Sequence, residues 1–91
     1  MMWINSEWAY RYCKDIEDDP EIRKYIIDPY CAFLYCRFIK DDPEVRKYIT
    51  HSTWAYYYCL IIKDRPEVKK YIVDYGLSLS YDRIMKNRSK I

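Results

Sequence analysis

The chain repeats one 23-residue motif three times, and this repeat limits its possible folds more than any other feature. The segment 18–26, Asp-Asp-Pro-Glu-Ile-Arg-Lys-Tyr-Ile, returns with few changes at 41–49 and again at 64–72. The segment 8–13 returns in the same register, so ten positions of the motif are identical in all three copies. A unit this short cannot bury its own apolar face. The copies are therefore expected to stack and to share one core.

The spacing of apolar residues within each copy is typical of helices. In the first half, Trp8, Tyr12 and Ile16 lie at i, i+4 and i+8, on one face of a helix. In the second half, Ile22 and Ile26 make a shorter stripe of the same kind. The chain has one glycine and four prolines, which disfavours an all-β fold because its turns need many residues with positive φ. The predicted fold class is all-α, with about seven short helices.

The predicted architecture is a miniature α-solenoid, right-handed or left-handed, in a single domain that spans 1–91. Each repeat is expected to form a helical hairpin, and the repeats cover 5–27, 28–50 and 51–73. Residues 74–91 continue the first half of a fourth copy and are predicted to form a C-terminal capping helix. Residues 2–4 match the end of a preceding copy. Half-repeats thus cap both ends, as stacked arrays require.

The turn inside each hairpin has the Asp-x-x-Glu spacing of a capping box, with proline in the first helical turn. This predicts that a repeated aspartate caps each second helix, namely Asp18, Asp41 and Asp64. The first helices are predicted to begin at Asn5 or Ser6, at Asp28-Pro29, at Ser52 and at Asp74. Gly76 interrupts the pattern and is predicted to end the preceding helix as a left-handed C′ residue.

The motif Trp-Ala-x-x-Tyr-Cys, followed by Asp-x-Pro-Glu-Val-x-Lys-Tyr-Ile, resembles short tandem helical repeats found in uncharacterised phage and bacterial proteins. The resemblance extends over residues 5–85, nearly the whole chain. It implies stacked helical hairpins and an origin in a phage or another mobile element. It implies no particular chemistry.

The four cysteines are predicted to be reduced thiols in the core. Cys13, Cys36 and Cys59 share one position of the repeat, and Cys31 stands where the other copies have tryptophan. No Cys-x-x-Cys spacing occurs, and His51, the only histidine, falls at a predicted helix boundary. The sequence therefore predicts no metal, disulfide or other cofactor, and it favours a reducing, cytoplasmic compartment.

Enzymatic activity is not expected, because most carboxylates recur with the repeat and are explained as helix caps.

The tyrosines that recur with the repeat are expected to form a stacked ladder: Tyr12, Tyr35, Tyr58 and Tyr81.

A binding site is expected where the outer face of the first helices departs from the repeat. The predicted partner-binding residues are Tyr10, Arg11, Leu34, Arg37, Tyr56, Tyr57 and Leu60. Aromatic residues and arginine are enriched in protein interfaces, and Leu34, Tyr57 and Leu60 are expected to be exposed. One further set has two interpretations, exposure to a partner or packing between adjacent repeats: Tyr10, Phe33, Tyr56 and Leu79. The preferred function is a protein-binding module, such as a small phage-encoded factor that binds or inhibits a host protein in the bacterial cytoplasm.

Nucleic-acid binding is an alternative function, since basic residues form rows that could follow a phosphate backbone. The residues concerned are Arg23, Lys24, Arg46, Lys47, Lys69, Lys70, Arg83, Lys86, Arg88 and Lys90. Lys24, Lys47 and Lys70 each follow a glutamate by three positions, a spacing that also predicts neutral surface pairs.

Self-assembly by end-to-end stacking is a third interpretation, with Trp3 at one end and the basic tail at the other. The formal charge changes from −2 in residues 5–27 to zero in 28–50 and to +2 in 51–73 and in 74–91. No apolar run approaches the roughly 20 residues of a membrane span, so no membrane association is expected.

Overall fold

The computed structural model describes residues 5–88, which form seven helices and no strand. The helices are α1 (Ser6–Asp15), α2 (Pro20–Arg23), α3 (Pro29–Phe38), α4 (Pro43–Arg46), α5 (Ser52–Ile61), α6 (Pro66–Lys69) and α7 (Tyr75–Arg88). The predicted all-α class and the predicted number of helices are confirmed. Trp3 and Lys90, which the sequence places in the self-assembly contact and the basic tail, lie outside the described residues.

Long and short helices alternate along the chain. Each of α1, α3 and α5 packs against the four-residue helix that follows it and against the next long helix. The described chain measures 51 × 25 × 16 Å, so it is extended along one direction. None of the helices within residues 5–88 is both long enough and apolar enough to cross a membrane.

The long helices begin where the sequence predicts, because a polar side chain caps each N-terminus. Asn5 Oδ1 accepts a hydrogen bond from the Trp8 amide at 2.8 Å. Asp28 and Asp74 accept from the amides three residues ahead in the same way. His51 Nδ1 accepts from the Thr53 amide at 3.3 Å, so the only histidine is a helix cap.

The predicted caps of the short helices are wrong by one residue. Asp19 and Asp42, and not Asp18 and Asp41, cap α2 and α4, each accepting at 2.8 Å from the amide two residues ahead. The reason is that proline occupies the first position of each short helix, which makes the residue directly before it the N-cap. In the third repeat that residue is Arg65, which makes no side-chain cap, so Asp64 is not the cap of α6 either.

Gly76 also differs from its prediction. It lies in the first turn of α7, and no residue in 5–88 has a positive φ, so it is not a left-handed C′ residue. Its absent Cβ would lie 3.3 Å from Oδ1 of Asp74, the carboxylate that accepts from the Leu77 amide at the start of α7.

The core follows the repeated positions. Tyr35, Tyr58 and Tyr81 are almost fully buried, while Tyr12 on the outermost long helix is half-buried. The remaining large buried side chains come from the second halves of the repeats: Ile26, Ile49, Val45 and Val68. All four cysteines are buried and free, as the repeat predicts.

Candidate partner-binding face

Two of the three buried tyrosines of the ladder connect their repeat to the one before it through an aspartate, whereas the buried Tyr81 hydroxyl has no hydrogen-bond partner within residues 5–88. The Tyr35 hydroxyl lies 2.8 Å from Asp18 Oδ1, and the Tyr58 hydroxyl donates to Asp41 Oδ1 at 2.7 Å. Burial first, and then the hydrogen bond to Asp41, raise the pKa of Tyr58 to about 12. These contacts occupy Asp18 and Asp41, which explains why neither is free to cap a short helix.

Two arginines of the predicted basic rows form ion pairs with the same aspartates that accept from the buried tyrosines. Arg23 contacts Asp18 at 3.2 Å and Asp42 at 3.0 Å. Arg46 is only 9% exposed and lies 3.0 Å from Asp41. The charges of Arg23 and Arg46 are thus paired inside the structure, which disfavours a row of free guanidinium groups that follows phosphates.

The basic residues of the short-helix side differ in their contacts. Lys24 pairs with Glu21 at 2.8 Å and Lys47 with Glu44 at 3.0 Å, which confirms two of the three predicted neutral pairs. The third is not formed in the described chain, where Glu67 lies 3.7 Å from Arg46. Lys69 lies over the Tyr81 ring, and Lys70 lies over the Tyr71 ring, with each ammonium just over 5 Å from the ring centroid.

The basic residues of α7 lie at its C-terminal half. Arg83 and Lys86 are exposed, whereas Arg88 donates to the Leu60 carbonyl at 3.2 Å. Among the described basic residues, Arg23, Arg46 and Arg88 therefore have partners within the chain, and Lys90 lies outside the described residues.

The long helices differ from one another at four equivalent outer positions. On α1 these positions are all charged: Glu7, Arg11, Lys14 and Asp15. On α3 they are mixed: Tyr30, Leu34, Arg37 and Phe38. On α5 they are uncharged: Thr53, Tyr57, Leu60 and Ile61. Indeed no residue of α5 carries a charge, although Tyr57 is 41% exposed and Ile61 is 48% exposed.

Aromatic rings from α3 and α5 come together beside these outer positions. Trp54 lies at the centre, with its ring centroid 4.6 Å from Tyr30, 5.8 Å from Phe33 and 6.0 Å from Tyr57. The rings of Tyr56 and Tyr57 meet edge to face at 5.3 Å. These distances are those of favourable aromatic pairs.

The surface between α3 and α5 is a shallow groove of about 400 Å³, which we name the aromatic groove. Its walls are formed by Tyr30, Phe33, Leu34, Arg37, Trp54, Tyr57 and Ile61. A second groove of about 630 Å³ lies between α1 and α3 and shares Tyr30 and Leu34 with the first. The two grooves are therefore adjacent, on either side of α3 residues that line both of them.

The structure places the predicted partner-binding residues in different environments. Tyr57, Arg37 and Arg11 are exposed, although Arg11 pairs with Glu7 on the same helix at 2.9 Å. Leu34 and Leu60 are half-buried, so the expectation that they are exposed is wrong in degree. Leu34 packs against the core while it forms part of the groove wall.

Four residues, for which the sequence allows either exposure to a partner or packing between adjacent repeats, differ in their burial from helix to helix. Tyr10 is 8% exposed and Phe33 4% exposed, so for these two the structure supports packing between adjacent repeats, and Tyr10 offers little surface to a partner. Tyr56 is half-buried and Leu79 is exposed. The physical reason is that α3 packs on α1 and α5 packs on α3, whereas no later long helix follows α7 within the described residues.

Trp54 and Ile61 line the aromatic groove, although the sequence pattern does not predict them as contacts. Trp54 shares its repeat position with Trp8 and Cys31, and the pattern places that position in the core. Ile61 replaces the charged Asp15 of the first copy. The available signal was the loss of charge at equivalent positions, which a comparison of the copies at 7, 11, 14 and 15 shows directly.

The thiols do not form a reactive or metal-binding site in the described chain. Burial first, and then Asp28, raise the pKa of Cys31 to about 11, and burial raises the pKa of Cys36 to about 12. Both thiols therefore stay protonated near neutral pH. Residues 5–88 contain no group of three His, Cys, Asp or Glu side chains arranged to hold a metal ion.

Comparison of the chain with protein-family models, with curated proteins and with solved structures finds no match in any of the three.

Proposed function

We propose that this chain is a protein-binding module without enzymatic activity, built as a small α-solenoid, and that the aromatic groove contacts the partner. One observation carries the proposal: the exposed outer positions that are charged on α1 are uncharged and partly aromatic on α5. The alternation of long and short helices, each long helix packing on the next, supports the solenoid architecture.

The chemistry of the groove supports a protein partner. Tyrosine, tryptophan and arginine are the residues that most often dominate the energy of protein interfaces, and Tyr57, Trp54 and Arg37 all line the groove. Exposed apolar side chains that form a continuous surface are costly to a free protein in water, and they become favourable when a partner covers them.

The partner is proposed to be a bacterial host protein. The resemblance of the repeats to those of phage and bacterial proteins supports a small phage-encoded factor that binds or inhibits a host protein in the cytoplasm. The paired arginines Arg23 and Arg46 favour this function over nucleic-acid binding.

The proposal is tested by affinity capture from a bacterial lysate with a variant taken from the chain's own repeat. Tyr57→Arg with Leu60→Lys places on α5 the residues that α1 carries at the same positions, so the change is compatible with the scaffold. The matched control, Lys24→Ala with Lys47→Ala, alters the short-helix side. We expect the control to capture the same protein as the wild type and the groove variant to lose it.

Circular dichroism verifies that both variants keep their helical content. Equal capture by the wild type and the groove variant, or no specific capture by the wild type, would contradict the proposed function.

A further inference from the structure

We infer that the aromatic groove binds an extended, proline-rich peptide segment that carries an acidic residue. The inference rests on the proposed protein-binding function and adds the conformation and the charge of the segment that the partner presents. Two observations carry it: hydrogen-bond donors on the groove wall that have no partner in the described chain, and the positive charge at the Arg37 end of the groove.

The donors are the hydroxyls of Tyr30 and Tyr57 and the indole N–H of Trp54. None of the three has a hydrogen-bond partner within residues 5–88. Water satisfies them in the free protein, but a partner that covers the groove must replace that water. A donor that is covered without an acceptor weakens binding, so the occupant must bring acceptors to the groove.

The need for acceptors discriminates between possible backbone conformations. The carbonyls of a helical segment are already bonded within the helix and offer few acceptors to the donors. A segment in the polyproline II conformation has no internal hydrogen bonds, so its carbonyls are free. Addition of a strand requires a sheet edge, and the described chain has no strand. Grooves lined by aromatic rings are one established way in which proteins bind polyproline II segments.

The charge of the groove determines the charge of the occupant. Among the side chains of the groove wall only Arg37 is charged, and it is exposed. Its guanidinium lies 5.0 Å from the Phe38 ring centroid, and the neighbouring Lys14 ammonium lies 5.8 Å from the same ring. This end of the groove is positive, so an acidic residue in the segment is favoured and a basic residue is disfavoured.

The test uses three synthetic peptides of about eight residues, which is long enough to span a ten-residue helix in the polyproline II conformation. The first peptide is proline-rich with one glutamate, the second has lysine in place of that glutamate, and the third is a helical peptide of alanine, leucine and glutamate. Binding to the whole chain is measured by titration, with the Trp54 indole N–H followed by NMR.

We expect saturable binding of the acidic proline-rich peptide, with a shift of the Trp54 indole signal. The lysine peptide should bind about fivefold more weakly, since an exposed ion pair contributes about this factor. Arg37→Glu should reverse the preference between these two peptides, and the matched charge change Arg83→Glu on α7 should leave the preference unchanged. Both arginines are exposed, so neither substitution should disturb the fold.

Three results would overturn the inference: no saturable binding of the acidic proline-rich peptide, tighter binding of the helical peptide, or a preference that Arg37→Glu does not alter. Failure of this inference can be distinguished from failure of the proposed function. If the groove variant loses a captured host protein while the proline-rich peptide does not bind, the groove is a binding site and only the assigned chemistry of the segment is wrong.

Discussion

The carboxylate of Asp41 has three side-chain partners, and it joins the second repeat to the third. Its carboxylate accepts from the Tyr58 hydroxyl, lies 3.0 Å from Arg46 and lies 3.0 Å from Arg65. The equivalent Asp18 contacts Tyr35 and Arg23 but has no third partner, because the repeat position of Arg65 is occupied by Asp42 one repeat earlier. In the third repeat, Arg65 stands where the second repeat has Asp42. This arginine is the third partner of the Asp41 carboxylate.

Asp41→Asn should destabilise the chain by about 2 kcal/mol, because it leaves two partly buried guanidinium groups with less compensation. Asp18→Asn should cost about 1 kcal/mol, since Arg23 keeps its contact with Asp42. Urea unfolding followed by circular dichroism measures both values. If Asp18→Asn proved as costly as Asp41→Asn, the count of partners would not explain the stability.

The same carboxylate should make stability depend on acid pH. Burial alone would raise the pKa of Asp41, but hydrogen bonds from Tyr58 and Arg65 and the charge of Arg46 outweigh burial and lower it. A group whose pKa is lower in the folded state stabilises the fold above its unfolded value of about 3.9. That contribution is lost as the pH falls through the folded value.

We therefore expect the free energy of unfolding to fall between about pH 5 and pH 2, and to fall less steeply in Asp41→Asn. Urea unfolding at a series of pH values tests this. Parallel curves for the wild type and the variant would show that Asp41 does not contribute to the acid dependence.

At the scale of helices, the sequence predicts the first residue of each long helix more accurately than it predicts the contacts of individual polar side chains. The starts of the long helices follow from caps such as Asn5 and Asp28, whose contacts are local. The role of Asp18 depends on Tyr35, 17 residues away, and no local pattern shows that distance. The burial of Tyr10 likewise depends on how α3 packs against α1, which the periodicity of one helix does not determine.

Ser52, at the start of α5, connects this helix to the segment that follows α6. The Ser52 hydroxyl donates to the Tyr71 carbonyl at 2.8 Å and accepts from the Val73 amide at 3.2 Å. Ser52→Ala should destabilise the chain by about 1 kcal/mol, because it removes both hydrogen bonds at the end of the hairpin. The measurement is thermal and urea unfolding, with Ser80→Ala as the control.

Ser80 is exposed on α7, so its replacement should have little effect. Equal stability of both variants would show that the hydroxyl of Ser52 does not hold the hairpin closed. The equivalent residue of the second repeat is Pro29, which shows that a long helix can also begin without this contact.

At the scale of the whole molecule, the repeat predicts the scaffold, and the differences between copies indicate the binding face. Identity of the copies at buried positions such as Tyr35 and Tyr58 predicts the shared core. The aromatic groove could be predicted only in part, because Tyr57 appears as a departure from the repeat while Trp54 appears as one of its core positions. The contact between Tyr30 and Trp54 arises from the packing of α3 on α5.

If the chain is the proposed solenoid, it should accept one additional copy of its second repeat. Insertion of a duplicate of residues 28–50 after Thr50 creates one new junction whose contacts already exist in the protein. Arg46 would meet the inserted Asp42 as Arg23 meets Asp42, and the inserted Tyr35 would meet Asp41 as Tyr35 meets Asp18. The groove formed with α5 would remain.

We expect the extended chain to unfold with a free energy about 1–3 kcal/mol higher, in proportion to its added length. It should also lengthen by about 8–10 Å, one helix-packing distance. Urea unfolding and small-angle X-ray scattering measure these two changes. The control duplicates residues 28–39 alone, which breaks the alternation of long and short helices and should lower stability. A full duplicate that is less stable than the original chain would show that its copies do not behave as interchangeable stacked units.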